Sequence, residues 1–512
     1  MQSFWLKIDQ INPKKLHYWI VALGMLTAAW IQYIQHGWIN PDSVLYLEQA
    51  RLITNGEWQA AYRVFNWPFY GACIAGVHLI TTASIHLSAQ ILNVVFFGVA
   101  TSSFLSIIRL ANGENRTMLA GTLLLLSSPY IVADVLEMLM RDEGFWAFFL
   151  SSLVFFIRFK QLYRLKDALL WQICIIFATL FRIEAICYLL ALPISLLFMQ
   201  HFNWHTRFKN LANSYSILFI AALPIGFMLL FNSHLSMKDF GRLQEIFTLN
   251  LFQELTENLQ LKAKLMSDQV LGKFLNEFAV TGLLLTFTYV VVYKTTYATG
   301  IIATIFAGLT LKNLHALLEK NSFLVLKTVA VIAVISMFLI TVKVFVLSGR
   351  YAVALSWILM ILAAFYIAYL STQLSKKARL LTLAICLILM AGFIKNILPK
   401  RAGYNYMQDA VAWMVTTNKA KQAVFYNEPR MRYYANAPFL GTGYDSWPRV
   451  TEAISNQSIN KYEWLMISLS HKEPDKALYL QKNLKQYYLM KSFYSEKAKH
   501  EIVIYRKKST QN

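Results

Sequence analysis

The chain lacks the charged surface that a water-soluble protein of its length requires. Its 512 residues are 57% hydrophobic and only 15% charged, and the mean hydropathy is +0.44. Soluble globular proteins carry roughly 25% charged residues, so the polar side chains here are too few to cover several cores that face water. The composition also excludes a disordered chain, which requires low hydrophobicity and high charge. We therefore predict a mainly α-helical protein that crosses a membrane many times.

Several signatures of enzymes and pumps are missing as well. The sequence has no GxxxxGK[ST] phosphate loop, no HExxH, no GxSxG and no two aspartates separated by one residue. Their absence disfavours nucleotide-driven pumps, zinc peptidases and transferases that use nucleotide sugars directly. The four cysteines lie in apolar stretches without CxxC or metal-ligand spacing, which indicates small buried side chains rather than disulfides or metal ligands: Cys73, Cys174, Cys187 and Cys386.

Acidic residues are scarce. There are 27 Asp and Glu against 48 Lys and Arg, which gives a net charge of +21. In a membrane protein, Lys and Arg concentrate in cytoplasmic loops and near lipid headgroups. This distribution accounts for the excess, and we predict no nucleic-acid partner. We place on the inner side Lys14, Lys15 and four basic clusters at 158–166, 207–209, 312–320 and 376–379.

The apolar segments predict the crossings, beginning with 17–34, which we interpret as an uncleaved anchor. A crossing needs about 17–25 apolar residues, and several segments are marginal. All the basic clusters can lie on the inner side of the membrane only under two conditions. The segment 69–86 must not cross the membrane, and the segments 278–293 and 296–311 must together make one crossing. We therefore predict a bundle of about 11–13 spans, with 11 crossings favoured. The remaining segments are 88–110, 117–137, 144–159, 168–181, 185–199, 211–231, 322–347, 351–370 and 380–398.

The character of the sequence changes after Pro399. We predict a transmembrane domain over 1–398, with a first outer loop at 35–68 and a second large outer loop at 232–276. Residues 399–512 are predicted to form a small exterior α/β domain. Its elements are strands at 422–426, 464–469 and 501–506, and helices at 404–415 and 477–488.

On this topology, unusual polar residues collect at the outer ends of separate spans. Asp42 follows Pro41 and opens an amphipathic stretch, so it is either a carboxylate available for chemistry or only the N-cap of that helix. The other charges either mark where spans stop or converge on an outward cavity. They are Arg63, Arg141, Asp142, Arg182, Glu184 and Arg350, together with Tyr351.

Five short motifs give this pattern a likeness to a known family. They are PDSVLYLEQAR, NWPFYGACIAGVHLI, SSPYIVADVLEMLMRDEGFWAFF, LFRIEAICYLLALP and SGRYAVAL. The chain resembles the GT-C superfamily of integral membrane glycosyltransferases, in the branch of protein O-mannosyltransferases and bacterial aminoarabinose transferases. The resemblance extends over the whole chain. Many relatives have Asp-Glu in the first acidic motif, whereas here Ser43 follows Asp42.

The resemblance implies a sugar donor linked to a polyprenyl phosphate and an acceptor that is a lipid, a glycan or a protein. It implies transfer with inversion on the periplasmic side of the cytoplasmic membrane, among membrane lipids. In that reaction Asp42 would be the general base. Asp142 matches the second acidic position and would hold the acceptor or a divalent cation, or would only pair with an arginine. No other cofactor is implied.

The same resemblance assigns the phosphate to arginine side chains, because a planar guanidinium binds two oxygens at once. Arg63 and Arg350 are the first candidates, supported by Arg141 and Arg182. Tyr351 would bond the phosphate or the sugar, and we include Glu184 among the substrate-binding residues. Two alternatives stay open: an O-antigen-type polymerase or ligase, and a non-catalytic transporter.

Overall fold

The computed structural model describes residues 2–35, 37–198, 203–231, 241–242, 251–399, 405–441, 446–496 and 498–508. It is 75% helical, with a small four-stranded sheet at the C-terminus, so the mainly helical class is confirmed. Much of the predicted loop 232–276 lies outside the described residues, which omit 232–240 and 243–250.

The chain divides into two compact units. The helical unit comprises Met1–Trp30, Gln90–Glu137 and Arg141–Leu398. The mixed unit comprises Ile31–Ala89, Met138–Met140 and Pro399–Asn512.

The described α-helices are numbered in chain order. They are α1 Gln2–Asp9, α2 Pro13–Ile34, α3 Pro41–Thr54, α4 Trp58–Val64, α5 Phe69–Thr81, α6 Ile85–Leu110, α7 Asn115–Leu126, α8 Asp142–Leu162, α9 Leu165–Phe181, α10 Ile186–Ala191, α11 Trp204–Phe231, α12 Leu251–Met266, α13 Ala279–Thr299, α14 Ile301–Asn313, α15 Lys320–Val344, α16 Gly349–Thr372, α17 Lys376–Ile397, α18 Tyr406–Thr417, α19 Pro429–Tyr434, α20 Trp447–Ser455 and α21 Pro474–Asn483.

Short 3-10 or π turns extend or join several of these helices. They are Ile131–Val135, Ile183–Ala185, Leu192–Leu196, Ser267–Leu271, Asn276–Phe278, His315–Leu317 and Ser458–Lys461.

Within the described residues, six helices are long and apolar enough to cross a membrane. These are α6, α8, α15, α16, α17 and the stretch Asn276–Thr299 that contains α13. Multiple apolar helices agree with a multi-pass membrane protein, as predicted. Helices α5 and α14 have 13 residues each, or about 20 Å at 1.5 Å per residue. A hydrocarbon core is about 30 Å thick, so neither crosses it alone.

Two predicted spans are interrupted where proline occurs. The segment 117–137 was predicted as one span, but α7 ends at Leu126 and a π turn follows Pro129. Proline has no N–H and disfavours helical geometry in the residue before it. The side chain of Asn396 donates to the carbonyl oxygens of Leu126 (3.0 Å) and Ser128 (3.1 Å). Backbone left open at membrane depth is tolerated when protein satisfies it in this way.

The other interrupted span is 185–199, where 3-10 turns flank α10 and Pro193 lies in the second of them.

Helix α16 forms the centre of the helical unit. In its most apolar 18-residue window 78% of residues are buried, against 22% for α17, although both windows have a hydropathy of 2.2. The indole of Trp357 packs against Phe104 (5.3 Å between ring centroids) and Trp146 (6.1 Å). Helix α17 instead exposes large aliphatic side chains such as Leu387 (61%) and Ile388 (58%). An apolar helix with one bare face is suited to contact with lipid.

The sheet of the mixed unit has strand order β1-β2-β4-β3. Strands β1 and β2 are parallel, while β4 is antiparallel to both of its neighbours. The strand predicted at 501–506 is confirmed, but the helix predicted at 477–488 is wrong at its end, because α21 stops at Asn483 and a further strand follows. The strands are β1 Val424–Tyr426, β2 Trp464–Ser470, β3 Tyr487–Tyr494 and β4 His500–Lys507.

Both faces of this sheet are covered. Alternate residues of β2 point to opposite faces, so Trp464 and Met466 join one buried cluster and Leu465 and Ile467 join another. The first cluster includes residues of α18, and the second includes Val450 of α20. The C-terminal segment is therefore a layered α/β fold with the sheet in the middle.

The predicted outer loop 35–68 is largely helical and belongs to the mixed unit. The buried side chain of Gln49 in α3 donates to the carbonyl oxygens of Ala61 (3.0 Å) and Phe65 (2.7 Å), which fixes α4 against α3. Helix α5 also packs closely against α3, since a Cβ added at Gly71 of α5 would lie 2.8 Å from the Cβ of Gln49.

Candidate functional site

The helical unit buries an ion-pair network at the ends of three helices. The Nη1 atom of Arg182 donates to Oδ1 of Asp142 in a close contact. The Nε and Nη2 atoms of Arg182 lie 3.4 Å from the two carboxylate oxygens of Glu184. Arg182 is 2% exposed and Asp142 is 1% exposed. One buried guanidinium therefore pairs with two carboxylates, of which Asp142 is buried and Glu184 is partly exposed.

Local sequence explains this arrangement. Asp142 is the first residue of α8, where the helix dipole favours a negative charge. Arg182 caps the end of α9 with an extended backbone (φ −142°, ψ 119°). Gly144 lets these two helix ends approach, since a Cβ there would lie 2.4 Å from Cε1 of Phe181.

Aromatic rings cover the guanidinium of Arg182. Its Cζ lies 5.0 Å from the ring centroid of Tyr351 and 5.8 Å from that of Phe145. Such cation–π contacts strengthen when the cation is desolvated. Arg350 and Tyr351 lie in the first turn of α16 and line a small cavity together with Arg182 and Glu184. The volume of this cavity is about 20 Å³, which is enough for about one water molecule.

One carboxylate oxygen in this network has no hydrogen-bond partner among the residues that the structure describes. Among the described residues, no group donates a hydrogen bond to Oδ2 of Asp142. A buried carboxylate oxygen without a donor is costly, and such groups are found at catalytic sites or where water or an ion binds. Asp142 could therefore accept a hydrogen bond from a bound hydroxyl.

Further charges reach the same network. Arg141 is 7% exposed, and its charge and that of Arg242 both act on Glu184. Glu143 is buried beside Asp142 and interacts with Asn93. In the part of the chain described, four guanidinium groups thus meet three carboxylates, leaving an excess of positive charge. We name this set the arginine cluster: Arg141, Asp142, Glu143, Arg182, Glu184, Arg242 and Arg350.

Sequence reasoning missed Arg242, and it also missed Tyr130. Tyr130 lies within electrostatic range of Asp142, Arg182 and Arg350 and hydrogen-bonds Ser348. Its ring contacts the backbone of Gly349, where a Cβ would lie 2.7 Å from Cε2 of Tyr130. Gly349 in the SGRY motif could have indicated that another side chain approaches the backbone closely here. No local sequence pattern marks Arg242.

In the mixed unit, Asp42 lies in the first turn of α3, directly after Pro41. The N-cap residue is Asn40, so the alternative in which Asp42 only caps the helix is wrong. The hydroxyl of Ser43 contacts Oδ1 of Asn40 and donates to the carbonyl oxygen of Leu139 (3.1 Å). Asp42 is half-buried, on a helix start held by its neighbours.

The predicted site residues thus fall into two sets. Asp42 and Arg63 belong to the mixed unit, where Arg63 is exposed in the last turn of α4. The other six predicted residues come together in the helical unit: Arg141, Asp142, Arg182, Glu184, Arg350 and Tyr351.

The mixed unit contains a larger cavity of about 520 Å³ between α3 and α19. Arg51 lines it and makes two hydrogen bonds of 2.7 and 2.8 Å to Glu48, which raise the pKa of this guanidinium. On the opposite wall, the hydroxyl of Tyr433 lies 3.0 Å from Nδ1 of His86. Burial, followed by the neighbouring Tyr434, raises the pKa of Tyr433 to about 12, so this hydroxyl stays protonated at neutral pH.

The site contains no recognisable metal centre within the described residues, where no three His, Cys, Asp or Glu side chains are grouped to hold an ion. The chain matches no protein-family profile and no curated protein sequence.

Proposed function

We propose that this chain is an integral membrane glycosyltransferase that moves a sugar from a polyprenyl phosphate to an acceptor hydroxyl. The observation that supports it most is the arginine cluster. It gathers guanidinium groups from separate stretches of sequence around buried Asp142, at the ends of apolar helices. An excess of fixed cations there is suited to a lipid-linked phosphate.

The chemistry requires a cation at the leaving group. In a single displacement, a bond forms between the acceptor oxygen and the anomeric carbon while the bond from that carbon to the phosphate oxygen breaks. The electron pair leaves with the phosphate, and the acceptor proton passes to a carboxylate. Fixed guanidinium groups stabilise the charge that develops on the phosphate, and they do so most strongly where water is excluded.

The contacts suggest a division of roles among the arginines. Arg182 already binds Asp142 and Glu184, so we assign it as a positioning residue. Arg350 lines the cavity, and with Arg141 it is our choice for the phosphate. Arg63 is exposed and stays a further candidate for the phosphate.

The carboxylates divide in a similar way. Asp142 would hold the acceptor through Oδ2, the oxygen without a donor, and Tyr351 would bond the sugar or phosphate. Asp42 is our choice for the general base. Its half-buried position in the first turn of α3 would keep the carboxylate oriented.

The placement of the charges also favours an enzyme over a transporter. Transporters bind their substrates near the bilayer midplane on broken helices. Here Asp142 is the first residue of α8 and Arg350 the second of α16, so the charges occur at the helix ends.

The test compares cells that carry the chain with cells that lack it, by mass spectrometry of envelope glycans and lipids. We expect one sugar residue to disappear without the chain and to return with the parent sequence. Unchanged envelope composition in cells without it would overturn the proposed function.

The assignment of Asp42 is tested in the same cells with the Asp42→Asn variant, which should not restore the sugar. The matched control is Asp475→Asn, because Asp475 is an exposed aspartate that also directly follows the proline at the start of a helix. Restoration of the sugar by Asp42→Asn, at equal membrane levels, would exclude Asp42 as the base.

A further inference from the structure

A second charged region lies at the other end of α8. It is a groove of about 500 Å³ between the start of α2, the end of α6 and the C-terminal half of α8. Its basic side chains are Lys14, His17, Arg109 and Arg158, with the hydroxyls of Ser102 and Ser106 between them. We name it the basic groove. None of the described residues that line it is acidic.

The cations of the basic groove are only partly compensated. Nε of Arg158 lies 3.1 Å from Oδ1 of Asp167, which is buried behind it. Lys14 and Arg109 form no ion pair within the described ranges of the chain, and both are exposed. Nε2 of His17 lies 2.9 Å from Oγ of Ser102, which fixes the imidazole in the wall. The groove therefore presents two uncompensated cations beside hydrogen-bonding groups.

The surroundings of the groove have the polarity of a membrane boundary. Tyr18 of α2 lines the groove and is 70% exposed. The next residue, Trp19, is 60% exposed, and further along the same helix Leu26 is 67% exposed. Aromatic rings favour the headgroup level, and aliphatic side chains favour the hydrocarbon below it. A ligand in the groove would therefore have its charged part among the cations and its apolar part beside exposed leucine.

We propose that the basic groove binds the phosphodiester headgroup of an anionic phospholipid, with the acyl chains along the exposed face of α2. Basic pockets between transmembrane helices recognise such headgroups. A free phosphate would use only the cations and would leave the adjoining apolar surface bare. The groove is separate from the arginine cluster, and this proposal does not depend on the proposed sugar transfer.

The test uses the full chain purified and placed in nanodiscs of phosphatidylcholine, to which fluorescent phosphatidylglycerol is added. We expect saturable binding that weakens as salt rises and that unlabelled phosphatidylglycerol displaces. Soluble glycerol phosphate should displace it at least a hundredfold less effectively. Equal displacement by glycerol phosphate would indicate a phosphate site and overturn the lipid proposal, as would equal binding of labelled phosphatidylcholine.

The variant is Lys14→Gln with Arg109→Gln. Each basic residue near an anionic surface contributes about a fivefold gain in binding, or about 1 kcal/mol, so the pair should lose about 25-fold. The matched control, Lys312→Gln with Lys320→Gln, removes two exposed cations at the ends of α14 and α15 and should bind as the parent does. The charge-preserving pair Lys14→Arg with Arg109→Lys should also retain binding. Parent-level binding by the Gln pair, or loss in the charge-preserving pair, would overturn the proposal.

Discussion

The arginine cluster and the basic groove stand at opposite ends of one helix and use the same type of side chain differently. Asp142 opens α8 and Arg158 lies 16 residues later, or about 24 Å along the axis. In the arginine cluster, Arg182 is 2% exposed and bound to two carboxylates. In the basic groove, Arg109 is exposed and lies among described lining residues that include no Asp or Glu.

This difference follows from the cost of removing a charge from water. A buried ion costs several kcal/mol unless partners surround it, so the arginine cluster had to include carboxylates. An exposed cation keeps its water and needs no partner. The same substitution of arginine should therefore affect stability strongly at one end of α8 and weakly at the other.

The largest effect is expected for Arg182→Met. Removing the guanidinium leaves Asp142 buried without its cation and takes from Glu184 the cation it pairs with. This should lower the free energy of unfolding by about 3–5 kcal/mol. Thermal unfolding of the purified protein in detergent would measure this change. A triple variant that also carries Asp142→Asn and Glu184→Gln should recover most of the loss. An unchanged melting temperature for Arg182→Met alone would show that the cluster is hydrated, and the contrast with the groove would fail.

An intermediate effect is expected for Gly349→Ala beside the cluster. The new methyl group would lie 2.7 Å from Cε2 and 2.9 Å from Cζ of Tyr130, and overpacking of this kind costs about 1–3 kcal/mol. Gly308→Ala in α14 is the control, because nothing lies within 4 Å of a Cβ there; it should be neutral or slightly stabilising. The same melting measurement applies, and equal melting temperatures for the two alanine variants would contradict the packing of Tyr130 against Gly349.

The smallest effect on stability is expected for Arg109→Gln in the groove. Its side chain is exposed and has no carboxylate partner among the described residues, so the free energy of unfolding should change by about 0.5 kcal/mol or less. Melting in a zwitterionic detergent, without anionic lipid, would measure it. A loss of unfolding free energy as large as that of Arg182→Met would show that Arg109 stabilises the fold.

The sequence marked Asp142, Arg182 and Arg350 as candidates because charged residues are few in this chain. That Asp42 and Arg63 converge with them stays a prediction. A charge at the end of an apolar helix needs water, a partner or a function, which is why Asp142 and Arg182 could be marked as candidates. Which carboxylate each arginine would bind could not be predicted, because that depends on how α8 and α9 pack. Arg242 carries no local pattern at all, and only the folded chain relates it to Glu184.

The fold, like the candidate site, was predictable only in part. The apolar runs located the long helices and also strands β2 and β4. Most residues of β2 are buried, and so is the centre of β4, Ile502–Ile504. Strand β3 was missed because it is an edge strand with mostly exposed side chains, so its sequence lacks a buried face repeating every second residue. The break after α7 was missed because an apolar run that contains a single proline has the same composition as a continuous span. Only the backbone shows that the helix stops before the proline.

The small cavity beside Arg350 has a kinetic consequence. Its volume of about 20 Å³ admits about one water molecule, while a sugar phosphate is many times larger. If the proposed reaction takes place there, α16 or the turns around α10 must first move outward. The rate of substrate capture would then be limited by this opening rather than by diffusion of the donor in the bilayer, and it should reach a plateau as the donor concentration rises.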